Sequence, residues 1–128
     1  MLVAGLVLTG LAAAVHVLVW YLESLAWTGP RARAVFGTSP AEAEATRELA
    51  FNQGFYNLFL AVLVVLGTVL VATGSDVVGL TLVLAGAGCM AAAGLVLLVS
   101  SPDKASAAAR QFVPPLLGIV LLVLARLG

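Results

Sequence analysis

The stretch Leu2–Trp27, LVAGLVLTGLAAAVHVLVWYLESLAW, decides the fold. It holds one acidic residue, Glu23, one histidine, His16, and no Lys or Arg. A helix needs about 20 apolar residues, at 1.5 Å each, to cross a hydrocarbon core of roughly 30 Å, and this run is long enough. Its start has the apolar character of a cleavable leader, but no basic residue precedes it and it continues to Trp27 without a clean cleavage site. The expectation is a retained membrane-spanning helix.

Three more apolar segments follow, at about Leu49–Thr73, Val77–Val99 and Phe112–Leu127, the last long enough when its first turn is counted from Arg110. The sequence thus predicts an all-α, integral membrane four-helix bundle, a single domain with spans at about 2–27, 49–73, 77–99 and 110–127. Composition agrees. The 128 residues are 62% hydrophobic and only 9% charged, and the mean hydropathy is +1.16. So few charges would not solvate the surface of a water-soluble domain. Six Lys and Arg balance six Asp and Glu, with no basic stripe for nucleic acid. The single cysteine, Cys89, has no partner for an internal disulfide and is expected to be a small buried packing residue.

The connections differ in kind. Residues 28–48 form a long polar loop, Gly74-Ser75-Asp76 a tight turn, and Ser100–Ala109 a short polar stretch. In the first of these, Ser39-Pro40-Ala41-Glu42 is a capping box with proline at the first helical position, so the second helix is expected to begin near residue 40, outside the membrane. Arg31, Arg33 and Arg47 lie in this connection and Lys104 and Arg110 in the third, against Arg126 on the other side. The positive-inside rule then puts both basic connections in the cytoplasm and both termini outside it.

Several polar residues fall at depths where lipid does not tolerate them. On the first helix His16, Trp20, Glu23 and Trp27 occupy a stripe about 60° wide, extended by Thr9 and Ala13. An ionised carboxylate at membrane depth is costly, so Glu23 should face the interior, be paired or protonated, or reach the interface beside Trp27. His16, nearer the midplane, is either a structural hydrogen-bond partner or a proton carrier. On the second helix Asn52, Gln53, Tyr56 and Asn57, with Glu48 a turn earlier, present more donors and acceptors than one helix satisfies, which calls for interhelical bonds or a water-filled pocket. Near the fourth, Arg110 and Gln111 precede Pro114 and Pro115, which free two carbonyls or simply kink the chain. The third helix is rich in small residues over AGAGCMAAAG, Ala85–Gly94, and is expected to be a packing spine or a homodimer face.

Under this topology the polar residues of three helices lie in the cytoplasmic half of the bilayer. They are expected to form one aromatic-lined cavity open to the cytoplasm, with His16 at its floor. An outer half without such residues argues against a through-pore. No metal-ligand set, cofactor fingerprint or activated nucleophile is visible. Three functions fit: binding or transport of a small amphiphile or lipid headgroup, a structural or assembly subunit, and an intramembrane enzyme acting on a lipid with Glu23 and His16 as acid and base.

The same residues carry a resemblance. HVLVWYLESLAW at His16–Trp27, Phe36-Gly37, NQGFYNLFLA at Asn52–Ala61 and the Gln111 region resemble the small bacterial integral membrane proteins of domain of unknown function 1304, which show a proline close behind that glutamine; here two residues intervene and the proline is doubled. The resemblance covers nearly the whole chain. It implies four helices and a membrane location, and no activity.

Overall fold

The computed structural model describes all residues, Met1–Gly128. The chain is 89% helical with no strands. Helix α1 (Leu2–Trp20) passes directly into a π-helical turn, Tyr21–Leu25. Short helices α2 (Pro30–Phe36) and α3 (Pro40–Ala45) precede the long helices α4 (Arg47–Ala72) and α5 (Asp76–Ser100). A 3₁₀ turn, Pro102–Lys104, leads into α6 (Ala105–Leu127). Four helical segments are long and apolar enough to span a membrane: Leu2–Leu25, Arg47–Ala72, Asp76–Ser100 and Pro102–Leu127.

The chain forms two compact units, Met1–Val15 with Leu60–Gly128, and His16–Phe59. In the first unit, glycines set how closely helices approach. A Cβ on Gly67 would meet the Gly79 carbonyl oxygen at 2.5 Å, and one on Gly94 would meet Phe112 at 2.9 Å. One cluster packs Ala12, Ala13, Ala61, Val64, Ala87 and Met90; another packs Leu80, Val83 and Leu122. Without a hydrophobic drive between helices inside lipid, such close van der Waals packing is what holds spans together. Thr9, fully buried, donates back to the Gly5 and Leu6 carbonyls, so its hydroxyl needs no partner from another helix. Arg126, in the last turn of α6, donates at 3.0 Å to Asp76 in the first turn of α5. Each charge also suits the partial charge of its own helix end.

The structure corrects several expectations. The first helix does not stay α-helical to Trp27: the Ala26 N–H bonds the Tyr21 carbonyl at 3.1 Å, closing a wider turn. The 28–48 connection contains an additional helix, α2, with Pro30 at its start and Gly37 in the left-handed region (φ 69°) at its end. The second helix is broken at Thr46 rather than continuous from Pro40: the backbone there leaves helical angles (φ −105°, ψ 5°), and the Thr46 N–H and Oγ1 both donate to the Glu42 carbonyl. The capping box itself is present. Glu42 accepts from the Ser39 N–H at 2.8 Å, and these contacts from Ser39 hold its carboxyl below the usual carboxylate range. The fourth helix begins at Ala105 and runs through Pro114 and Pro115, so the prolines interrupt its ladder from within. Cys89 is exposed, not buried: Gly86, Ala87, Met90 and Ala91 form the packed face of α5, and Cys89 lies on the opposite side. Acyl chains solvate a thiol there without cost.

Candidate functional site

The His16–Phe59 unit gathers the polar side chains of the first span. Glu23 lies in the π turn, two residues before the apolar segment ends at Leu25. Its Oε2 accepts from Asn57 Nδ2 at 2.8 Å, and the same amide donates at 3.2 Å to the Gln53 carbonyl of its own helix. One turn along α4, Gly54 lets the chain come close: a Cβ there would run into Ser24 Oγ and lie 3.1 Å from the Glu23 Cβ. Ser24 Oγ in turn donates to the Phe51 carbonyl at 2.9 Å. The wide turn and the glycine together bring the Glu23 side chain level with α4.

Beside this contact lies an open groove of about 530 Å³. One wall is the π turn and the residues after it, Glu23, Ser24, Leu25, Trp27 and Thr28. The opposite wall comes from the end of α3, Glu44 and Ala45, and from the start of α4, Arg47, Glu48 and Phe51. Glu44 and Arg47 stand 3.7 Å apart, both well exposed. Trp27 is held from two directions. Its Nε1 donates to Thr46 Oγ1 at 3.1 Å, and its ring packs on Phe36 at 5.1 Å between centroids. Phe51 packs on Phe55 at the same separation.

Of the residues singled out from the sequence, Glu23 and Trp27 line the groove, and Asn57 anchors Glu23 from outside it. Trp20 meets Phe55 edge-on at 6.1 Å, its indole N–H buried and without a hydrogen-bond partner. His16 is buried. Asn52, Gln53 and Tyr56 are exposed, and Asn52 donates to the Glu48 carbonyl of its own helix, so α4 satisfies more of its amides than their number suggested. Arg110 and Gln111 belong to the other unit, where Arg110 is exposed and Gln111 half-buried. The sequence reading placed Glu48 with the polar groups of the second helix but missed Ser24, Glu44, Arg47 and Phe51 as a lining. The signal was available: Glu44, Arg47, Glu48 and Phe51 follow at three- and four-residue spacing, one face across the α3–α4 junction. No three His, Cys, Asp or Glu side chains gather closely enough to hold a metal ion.

Four apolar helices of spanning length define a multi-pass membrane protein, here with a charged and aromatic groove at the polar end of its first span. Residues 10–123 match the family described as Protein of unknown function (DUF1304), and the chain belongs to that family. No curated protein and no solved structure matches it.

Proposed function

We propose that the protein binds a small amphiphile or lipid headgroup in the groove beside Glu23, as a binding or transport module of the cell membrane. The observation that carries this reading is the character of the groove. It stands where an apolar span meets a polar connection, it is large enough for a headgroup, and it joins carboxylates to aromatic and aliphatic side chains. Ligand sites combine an apolar wall with a few convergent polar groups in this way. Leu25, 60% exposed, offers a surface along which a hydrocarbon tail runs toward lipid. The distribution of basic residues supports a mouth on the cytoplasmic side.

A structural role is the second reading, and the Asn57–Glu23 bond favours it, since such bonds tie helices together in lipid. It leaves the groove without a purpose. Thermal unfolding of the purified protein against a panel of lipids and dodecyl amphiphiles separates the two. The binding reading expects at least one amphiphile to raise the melting temperature of the wild type but not of Ala45→Trp, which fills the groove from its exposed rim. Ala93→Trp, on α5, should keep the response. Equal responses of all three proteins, or none, would leave only the structural role.

A further inference from the structure

We infer that the group taken up by this groove is an organic cation, an alkylammonium carrying a hydrocarbon tail; the inference rests on the amphiphile reading above and names its ligand class. The charges of the lining come first. Three acidic side chains, Glu23, Glu44 and Glu48, line the groove beside a single guanidinium, that of Arg47. Arg47 is engaged by Glu44, and the other ion pair of the molecule, Arg126 with Asp76, lies in the other unit. Glu23 and Glu48 therefore take part in no ion pair. An anionic headgroup placed among them meets repulsion, whereas a cation meets the charge they lack.

The aromatic walls narrow the class further. Trp27 and Phe51 both line the groove, and each is fixed by contacts that leave the groove free: Trp27 through Thr46 and Phe36, Phe51 through Phe55. Aromatic rings attract organic ammonium groups, and rings already held in place do so at little entropic cost. A small metal ion is a poor fit, because no three ligating side chains converge in the protein. An alkylammonium needs no coordination sphere. It needs negative charge nearby, aromatic contact for its methyl or methylene groups, and an apolar path for its tail, which Leu25 and Phe51 supply. Two sources share this chemistry: a lipid with an ammonium headgroup and a free cationic amphiphile.

The experiment uses the full chain in maltoside micelles and follows tryptophan fluorescence during titration with dodecyltrimethylammonium and, separately, dodecyl sulfate. The expected result is half-saturation at a concentration about tenfold lower for the cation. Glu48→Gln, at an exposed position where folding is not at stake, should remove most of that preference, and Glu23→Gln should do the same. Asp103→Asn, an equal charge change in the other unit, should not. Displacement of the cation by phosphatidylethanolamine but not by phosphatidylglycerol supports the inference with a lipid as source; displacement by neither supports it with a free cation. Displacement by both alike, equal or tighter binding of dodecyl sulfate, or an unchanged preference in Glu48→Gln overturns the cation and leaves the amphiphile reading standing. If no dodecyl amphiphile of either charge binds, both readings fall.

Discussion

Asn57 and Glu23, 34 positions apart in the chain, meet through a 2.8 Å hydrogen bond from an α4 amide to a carboxylate in the π turn of the first span. Asn57→Leu removes the donor and leaves the carboxylate without this partner. The expected loss is about 1 kcal/mol, the usual size of a polar contact between helices in a membrane. Glu23→Gln keeps an acceptor and should cost less. Asn57→Asp sets two carboxylates against each other and should cost more than Asn57→Leu. Reversible unfolding in mixed micelles gives the order of the three. A neutral Asn57→Leu would mean that the bond contributes nothing to the fold.

Gly54 tests the close approach on which that contact depends. Alanine at this position places a methyl group against Ser24 Oγ and 3.0 Å from the Ser24 backbone nitrogen, so the π turn must move. Overpacking of this kind costs about 1–3 kcal/mol. Gly10 and Gly88, also helical, have open space where a Cβ would be added. Alanine there should stabilise by up to about 1 kcal/mol through helix propensity alone. The same unfolding assay compares the three variants, and a Gly54→Ala protein as stable as Gly88→Ala would contradict the packing described.

The spans were legible because a helix that crosses lipid needs some 20 consecutive apolar residues, and that requirement is written in consecutive letters. The inward face of the first helix was equally legible, since Thr9, Ala13 and His16 share one stripe and all three are buried. Pairing was not. Periodicity says which face Asn57 occupies on α4 but not that Glu23 comes to meet it, because the π turn and Gly54 decide that jointly. Asn52 shows the same gap from the other direction, its amide being satisfied four residues back on its own helix. The groove was not legible because its second wall, Ser24 to Thr28, comes from the π turn and the residues after it, and no periodicity of α3 and α4 says that these lie opposite Glu44, Arg47, Glu48 and Phe51. Cys89 was misplaced for a related reason: in lipid an apolar residue has no preferred side, so hydrophobicity alone does not tell a packed face from an acyl-facing one.

Glu42 gives α3 a pH dependence with a definite sign. The Ser39 N–H and hydroxyl depress its folded pKa from the ordinary 4.5. Its contribution is therefore complete above about pH 4.5 and is lost as pH falls through the lowered folded value. Hydrogen exchange at the Ala43 and Glu44 amides should speed up in acid beyond the intrinsic rate. Glu42→Gln, which keeps an acceptor and loses the charge, should flatten that response. Ser39→Ala, without the hydroxyl, should weaken the helix start by about 1 kcal/mol at neutral pH. Protection at these amides, relative to the intrinsic rate, that does not change with pH in the wild type would show that the box is not held in solution.

Orientation in the membrane is open to a direct test. Arg31, Arg33 and Arg47 in one connection and Lys104 and Arg110 in another outnumber Arg126, which is moreover bound to Asp76 at 3.0 Å. Basic residues near span ends resist translocation, so the connections that carry five of the six should stay in the cytoplasm. Replacing Cys89 with alanine clears the background, and its exposed position on α5 makes that change mild. Single cysteines are then introduced as Ser75→Cys, Ala41→Cys and Ser106→Cys, all at exposed positions. On intact cells an impermeant maleimide should label Ser75→Cys alone, and the other two should react only after permeabilisation. The reverse pattern would place the groove mouth outside the cell, and any amphiphile it binds would then be drawn from that side of the membrane.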